Sequence, residues 1–404
     1  MRERRSPAPP PLWIRLALIV GSPLLFILLV EGVIRGTGIE TDLARNENFA
    51  VEVPVWLLAD EAWITTQQER LEHPRGVRAE DVVWFRSFEE ARYIQYKLRP
   101  NLSVDAVNPF NDVDVRKGVT FHFTSNSDGF RTREFTPRSG ATYRVVSIGD
   151  SSTFGWGVDE EYTYQALLER RLAAAGGRAV EVFNLGIPGF TSRHGLGVLE
   201  HYARDLHPDL LIVSFGANDG RQVLQPTDQL LAADEGWRAT IRFGLLRFET
   251  FKLLRRLIFS AYDPFTTPRE ERPPTFDSVP RDRYMEILTT MVEESRSRGT
   301  ESVFLAVCAP ASYVRGMRFV AGTHVVPMVN ARAIFADRLD DLRAHRVYPD
   351  EVQYAEKIYG QRALDRNPSL YVTSDGCHPN RAGHSLIADA LANAVLSVRQ
   401  RGQP

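Results

Sequence analysis

Cysteine is scarce in this chain of 404 residues, which contains only two, Cys308 and Cys377. Two cysteines cannot form the disulfide framework of a small secreted domain, and their spacing matches no zinc-binding pattern. An excess of charge of one sign is also lacking, since Lys and Arg number 49 while Asp and Glu number 51. A nearly neutral chain gives no electrostatic reason to expect nucleic acid as a partner.

The composition that remains is that of an ordinary globular protein, with 43% hydrophobic and 25% charged residues. A chain of this length can form one large or two ordinary domains, each with a buried core. The sequence contains no internal repeat.

One long apolar run stands out, at residues 12–30, where Arg15 and a Gly-Ser-Pro break are the exceptions. With the apolar residues just after it, the run approaches the ~20 residues that a membrane-spanning helix needs. Three arginines precede it, at positions 2, 4 and 5. We expect residues 1–40 to form a cytoplasmic tip and a transmembrane anchor, with the rest of the chain on the periplasmic or extracellular side.

Two other interpretations of the apolar run stay open. A cleaved signal peptide would need a small-residue Ala-x-Ala site after the run, and the following residues, EGVIRGTGIE, offer no good one. A core helix of a soluble protein would be unusual directly after three arginines and a Pro-rich leader.

Residues 41–138 are predicted to be an amino-terminal extension that packs on the main domain. Polar and apolar residues alternate over residues 117–124, which is typical of a half-buried strand. A turn sequence follows at residues 126–131. We therefore expect the extension to contain a small sheet.

The rest of the chain is organised around residues 145–155, in which a β-branched apolar run stops at Gly149-Asp150-Ser151. Apolar residues return at helical spacing from Tyr164 onward. The pattern predicts a strand, a tight turn and a helix. In a parallel α/β sheet such a turn lies at the carboxyl end of its strand, where ligands bind, so Ser151 is placed to act as a nucleophile.

Three further apolar runs follow, at residues 179–183, 209–215 and 302–308, with helical patterns between them. Strands that alternate with helices predict a parallel sheet covered by helices on both faces. The loops after the first two of these runs contain Gly189 and Asn218. We therefore predict a three-layer α/β/α domain over residues 139–400, with both loops at the same edge as Ser151.

Residues 221–280 interrupt this alternation and are predicted to be an insertion. Apolar and basic residues are mixed over residues 245–258, and four prolines in residues 266–280 favour a mobile loop. The basic segment is interpreted either as a helix lying over the sheet or as a lid or membrane-facing helix near the site.

A serine nucleophile needs a base for its proton and a carboxylate that holds the base in the right tautomer. His378 and Asp375, three residues apart in a late loop, can supply both groups. Acyl transfer also builds negative charge on the carbonyl oxygen of the substrate. The backbone N–H groups of Ser151 and Gly189 and the side-chain amide of Asn218 are candidate donors to that oxygen.

These segments, in this order, resemble the four sequence blocks of the SGNH or GDSL hydrolase family. The blocks are Gly149-Asp150-Ser151, the Ile-Pro-Gly loop that ends at Gly189, Gly216-Ala217-Asn218-Asp219, and Asp375-Gly376-Cys377-His378-Pro379. The resemblance covers roughly residues 144–398. One departure is Ser152, which stands where the family often has leucine.

The resemblance implies a flavodoxin-like fold with Ser151 as nucleophile, His378 as base and Asp375 as its orienting partner. It also implies an oxyanion hole formed by Ser151, Gly189 and Asn218. No metal and no organic cofactor is implied.

We expect a serine esterase that removes O-acyl groups from small molecules or from envelope or extracellular polysaccharides. An O-acyltransferase would use the same three catalytic groups, so the sequence does not separate the two. A lipid esterase or lysophospholipase, and a non-catalytic envelope assembly module, are two further functions that the sequence leaves open.

The two cysteines also leave two possibilities. Cys308 ends a predicted strand and Cys377 lies in the loop of His378, so both are expected at the carboxyl edge of the sheet. Outside the cytoplasm a disulfide between them would restrain the histidine loop. Two buried free thiols are the other interpretation.

Overall fold

A computed structural model provides the structure of the protein. It describes residues 11–37, 87–108, 114, 117–138, 140–223, 226–232, 235–259, 276–360 and 377–401. The described chain contains an apolar helix, two small hairpins and a large α/β unit.

Eleven strands are present in these ranges, and two of them contain only two residues. They are β1 (Phe88–Ala91), β2 (Gln95–Leu98), β3 (Ser103–Val107), β4 (Thr120–Thr124), β5 (Thr142–Gly149), β6 (Ala179–Asn184), β7 (Leu210–Ser214), β8 (Gln222–Val223), β9 (Phe276–Asp277), β10 (Glu301–Ala306) and β11 (Met328–Asn330).

The α-helices of the described residues connect and cover these strands. They are α1 (Leu12–Thr37), α2 (Ser151–Phe154), α3 (Tyr164–Ala174), α4 (Ser192–His201), α5 (Thr227–Ala232), α6 (Gly236–Leu245), α7 (Glu249–Phe259), α8 (Arg281–Ser297), α9 (Ala311–His324), α10 (Ala331–Asp337), α11 (Leu339–Arg343), α12 (Pro349–Tyr359) and α13 (Arg381–Arg401).

The main sheet has five parallel strands in the order β11-β10-β7-β5-β6. Counted along the chain, this is the 2-1-3-4-5 order of flavodoxin-like sheets, in which ligands bind beyond the carboxyl ends of the strands. All eight residues of β5, which lies between β7 and β6, are buried. The α/β fold expected from the alternating strands and helices is therefore confirmed.

Helices cover both faces of the sheet because alternate strand residues point to opposite sides. In β5, Val146 and Ile148 join one core cluster with side chains of α4, α8 and α9. Val145 joins the other cluster with side chains of α3 and α10–α13. The result is the expected three-layer arrangement.

The hairpins of the amino-terminal extension share the first of these cores. Strands β1 and β2 are antiparallel, as are β3 and β4, and Phe88, Ile94, Phe121 and Phe123 are buried among residues of the main unit. Strand β4 lies within the predicted strand at residues 117–124, which confirms that strand.

Helix α1 corresponds to the apolar run, with Pro23 inside it. Among the described residues it is the one helix long and apolar enough to cross a membrane. Most of its side chains are exposed up to Leu29, whereas Glu31 and Ile34 are buried against the rest of the protein.

Strand β11 was not predicted, because its three residues are too short to show a period and are framed by Pro327 and a helix. Most of the predicted mobile loop at residues 266–280 lies outside the described residues. The end of that segment, from Phe276, forms β9 and the approach to α8.

A buried histidine joins the last helix to the rest of the unit. The His384 ring is completely buried, and its Nδ1 accepts a hydrogen bond from the Tyr164 backbone N–H at 3.1 Å. Burial, with the charges of Arg131 and His378 nearby, lowers the pKa of His384 to about 3. The folded protein therefore holds this imidazole neutral.

This histidine predicts a specific dependence of stability on pH. An unfolded histidine binds a proton below about pH 6.5, whereas folded His384 does not until about pH 3. Its contribution to stability is therefore complete above pH 6.5 and is lost as the pH falls toward 3. Substitution His384→Gln should reduce the slope of unfolding free energy against pH by about 1.4 kcal/mol per pH unit within this interval.

Urea unfolding of the full chain in detergent, at a series of pH values from 4 to 7, measures that slope. The matched variant His194→Gln should give a similar change, because burial also lowers the pKa of His194 to about 3. A lower overall stability of either variant leaves the expected change of slope intact. Slopes equal to that of the unmodified protein would contradict the prediction.

Candidate active site

Ser151 lies just beyond the carboxyl end of β5, as the first residue of the short helix α2. Asp150 caps this helix, and its side chain accepts a hydrogen bond from the Ser152 N–H at 2.9 Å. A Cβ at Gly149 would lie 2.0 Å from Thr153 Oγ1 and 2.6 Å from the Ser214 carbonyl oxygen. The turn therefore requires glycine before the Asp-Ser pair. The tight turn places Ser151 at the edge of the sheet.

His378 meets Ser151 although 227 residues separate them in the chain, and its Nε2 lies 2.7 Å from Ser151 Oγ. The His378 residue is buried. A ring nitrogen at this distance can accept the hydroxyl proton and later return it. Asp375, the predicted orienting carboxylate, lies outside the described residues.

A disulfide bond holds the His378 loop. Cys377, directly before the histidine, is bonded to Cys308, two residues after the end of β10, with a Cα–Cα distance of 5.0 Å. The sequence left the choice between a disulfide and two thiols open, and the structure contains the disulfide. The histidine loop is thus fixed covalently to the edge of the sheet.

The two other predicted oxyanion residues lie on loops beside this pair. Gly189 has a φ of +84°, a conformation that favours glycine. The buried Asn218 side chain donates a hydrogen bond from Nδ2 to the Phe190 carbonyl oxygen at 2.9 Å. A primary amide has a second N–H, which can serve a substrate oxygen.

Asp219 ties these two loops together, a role that its sequence pattern alone did not reveal. Its carboxylate accepts hydrogen bonds from the N–H and hydroxyl of Ser192, at 2.9 and 2.5 Å, and from the Gly216 N–H at 2.9 Å. Burial raises its pKa to about 7, against the opposing effect of these donors. An acidic residue directly after Asn218, at the end of an apolar strand, was the available signal.

The extension supports the Gly189 loop from the other side. The buried Tyr96 hydroxyl donates a hydrogen bond to the Pro188 carbonyl oxygen at 2.7 Å. The Tyr96 ring packs edge-on against Phe190, which in turn stacks on His194 with ring centroids 4.7 Å apart. The loop is therefore packed between the first hairpin and α4.

A buried arginine of the extension binds the carbonyl oxygens at the end of α2, the helix that begins at Ser151. The guanidinium of Arg131 donates to the carbonyl oxygens of Phe154, Gly155 and Val158, at distances of 2.8–3.1 Å. Nearby, Trp156 donates from Nε1 to Asn108 Oδ1 at 2.8 Å, and its ring lies 6.2 Å from that of His378. No sequence pattern singled out these supporting residues.

The described site therefore contains a serine–histidine pair and an amide donor at the carboxyl edge of a parallel sheet. Residues 147–386 match the model of the GDSL-like lipase/acylhydrolase family. The match covers more than half of the chain. The protein belongs to this family.

Individual proteins with similar sequences match a shorter stretch. Esterase TesA of Pseudomonas aeruginosa is 34% identical over 86 residues, which are 21% of this chain and 42% of that protein. An arylesterase of Vibrio mimicus is 33% identical over 88 residues, which are 22% of this chain and 44% of that protein. The chain thus matches less than half the length of these curated relatives.

Solved structures show a distant likeness. A lipase/acylhydrolase from Enterococcus faecalis is 19% identical and superposes with a TM-score of 0.36, covering 63% of this chain and 96% of that one. A likeness of this size says nothing about the substrate.

The disulfide predicts a loss of activity on reduction. In the double variant Cys308→Ala/Cys377→Ala, the histidine loop loses its covalent restraint, and a 69-residue loop of the unfolded chain is no longer closed. We expect a loss of about 2–4 kcal/mol in unfolding free energy. The kcat for a short activated ester should fall while KM changes little.

Dithiothreitol should reproduce both effects in the unmodified protein and have no effect on the double variant, which serves as the control. Wild-type kcat in the double variant would show that the disulfide does not position His378.

Asp219 is predicted to act as a positioning residue. In Asp219→Asn the amide can still accept from Ser192, but its NH₂ group would face the Gly216 N–H, which loses its acceptor. We expect the unfolding free energy to fall by about 1–3 kcal/mol, the penalty for a buried unpaired donor. We also expect kcat to fall more than KM rises, because Asn218 shifts.

Steady-state kinetics and thermal unfolding measure the two effects. The control Ser192→Ala removes one donor to the same carboxylate and leaves Gly216 paired, so it should affect kcat less. Equal kcat values for Asp219→Asn and the unmodified enzyme would contradict the positioning role.

Proposed function

We propose that the protein is a membrane-anchored serine esterase that hydrolyses carboxylic ester bonds. The observation that carries the proposal is the 2.7 Å contact between Ser151 Oγ and His378 Nε2. Membership of an acylhydrolase family supports the same reaction.

In the proposed mechanism His378 Nε2 removes the hydroxyl proton while Ser151 Oγ attacks the ester carbonyl carbon. The protonated imidazole then donates that proton to the departing alcohol. Water attacks the resulting acyl-Ser151 ester, again with His378 as base, and releases the carboxylic acid. Asp375 is proposed to hold the imidazole in the tautomer with Nε2 unprotonated.

The oxyanion that forms at the carbonyl oxygen is proposed to be bound by the N–H groups of Ser151 and Gly189 and by Asn218 Nδ2. These donors are fixed before the substrate arrives, since Asp219 and the Tyr96 hydroxyl hold their loops. Fixed donors stabilise a developing charge without reorganising during the reaction.

We further propose that α1 anchors the catalytic unit on the extracytoplasmic side. Three arginines precede the helix, which favours a cytoplasmic amino terminus, and a disulfide persists more readily outside the cytoplasm. From this position, the proposed substrates are O-acyl groups on envelope or extracellular glycans. Transfer of the acyl group to a sugar hydroxyl is the alternative that uses the same groups.

Substitution of the nucleophile tests the reaction. The full chain in detergent should hydrolyse a short activated acetate ester, and Ser151→Ala should abolish this activity. Asn218→Ala should lower kcat by about 10²–10³, the usual effect of removing one oxyanion donor. Ser152→Ala, which changes the neighbouring hydroxyl, is the control and should retain most of the activity. Equal rates for Ser151→Ala and the unmodified enzyme would overturn the assignment.

Two extensions of the assay address the substrate. Product analysis with an acyl donor and a glycan present together distinguishes hydrolysis, which yields the free acid, from transfer, which yields the acylated sugar. A series of esters of increasing acyl length distinguishes an enzyme for short acyl groups from a lipid esterase.

A further inference from the structure

Helix α6, inside the insertion, presents an apolar face to solvent. Trp237, Ile241 and Leu245 follow one another at intervals of four residues, so they form one stripe along the helix. Their exposed fractions are 70%, 52% and 39%, and Phe248, just beyond the helix, is 46% exposed. We call these four residues the α6 stripe.

Helix α6 packs against the rest of the protein, although the α6 stripe is exposed. Ala239, on the opposite side of α6, is buried with 2% exposure. The Thr240 hydroxyl accepts a hydrogen bond from Arg92 Nη2, in the first hairpin, at 3.0 Å. Helix α6 therefore packs through one face and leaves a second apolar face exposed.

The α6 stripe lies next to the end of the candidate anchor. The Glu31 carboxylate of α1 accepts hydrogen bonds from the N–H groups of Glu249 and Thr250, at 2.9 and 2.8 Å, at the start of α7. Arg35 Nη2 donates to the carbonyl oxygen of Arg247, the residue before Phe248, at 2.9 Å. The segment that contains the stripe is thus fixed to α1 near the residues where α1 becomes buried.

Positive charge accompanies the stripe. Arg238 and Arg247 are exposed, and the Arg238 guanidinium lies 5.5 Å from the centre of the Trp237 ring. Glu235, the acidic residue at the start of α6, forms an ion pair with Arg193 of α4, with Oε1 and Nη2 3.9 Å apart. An amphipathic helix with tryptophan on its apolar face and arginines beside it is typical of helices that lie in a membrane interface.

We propose that α6 lies in the interface of an anionic lipid bilayer, with the α6 stripe among the acyl chains and the arginines at the headgroups. The proposal rests on the membrane anchoring proposed for α1, and it adds a second attachment beside the anchor. A single helix leaves a domain free to rotate about its axis, whereas two adjacent attachments fix its orientation.

This attachment is connected to the candidate active site through the chain. The insertion begins with β8, four residues after Asn218, and returns to the main unit at β9. Two residues after β9, the Val279 N–H donates a hydrogen bond to the Asp219 carbonyl oxygen at 2.9 Å. The two ends of the insertion that contains α6 are therefore tied to the loop of Asn218.

Fluorescent probes on the full chain test the proposal. Because both native cysteines form the disulfide, a single introduced cysteine can be labelled with an environment-sensitive nitrobenzoxadiazole dye. The labelled variants are Ile241→Cys for the stripe, Leu24→Cys for the anchor, and Asn393→Cys as control. Asn393 is exposed on α13, on the face of the sheet opposite α4, and α4 is the helix whose Arg193 lies near the start of α6. Each is reconstituted into vesicles of phosphatidylcholine with phosphatidylglycerol, with or without spin-labelled lipid quenchers.

The proposal expects the probe at position 241 to be quenched several-fold more than the probe at position 393, with an emission shifted to shorter wavelength. Quenching at position 24 but not at 241 would overturn the proposal and leave the anchor in place. Absence of quenching at both positions would overturn the anchor and the docking together. Cross-linking between two chains of the unlabelled Ile241→Cys variant, with no lipid quenching of the labelled one, would overturn the docking by showing that a second copy covers the stripe.

Ester hydrolysis by the three labelled variants in detergent provides a separate readout. If position 241 is not quenched but the variants still hydrolyse the ester, this inference fails while the esterase assignment stands.

Discussion

The hydrogen bond between Ser151 Oγ and His378 Nε2 is the constraint that the structure around the candidate site has to satisfy. Two loops that are 227 residues apart in the sequence must meet within 2.7 Å, and neither loop can set this distance alone. Strand β5 fixes the serine through the tight turn at Gly149. The disulfide at Cys377 and the packing of α13 fix the histidine. Both loops are attached to the same sheet, and the sheet therefore sets the distance between the two side chains.

The amino-terminal extension contributes to the site although it supplies none of the predicted catalytic groups. Tyr96 holds the Gly189 loop, Arg131 binds the carbonyl oxygens at the end of α2, and Asn108 binds Trp156 beside His378. These contacts are buried, and a buried polar group without a partner is expensive. Removal of the extension would therefore disturb the loops of the site as well as the core.

Much of the fold could be predicted because its strands are apolar and end in recognisable turns. The runs at residues 145–149 and 209–215 correspond closely to β5 and β7, and their order along the chain indicated a parallel sheet. The short strand β11 could not be predicted, because three residues carry no period.

The meeting of Ser151 and His378 was also predicted, and it is confirmed by the contact between them. Their roles, and that of Asp375, stay predictions.

The residues that support the site could not be found from the sequence, for a physical reason. The hydrogen bonds to the Asp219 carboxylate and the hydrogen bond from the Tyr96 hydroxyl link loops or strands of the folded protein. Several of these partners are distant in the sequence, and only folding brings them together. The pairing of Cys308 with Cys377 was open for the same reason, since spacing does not determine which strand end faces which loop. The exposure of the α6 stripe likewise depends on which face of the helix packs.

Covalent labelling of Ser151 tests the central claim most directly. A fluorophosphonate reacts with a serine that an adjacent base activates, and mass spectrometry of the digested full-length protein identifies the modified residue. The Ser151–His378 contact predicts modification of Ser151, none of Ser152, and a large drop in the labelling rate in His378→Ala. Modification of another serine, or an unchanged rate in His378→Ala, would contradict it.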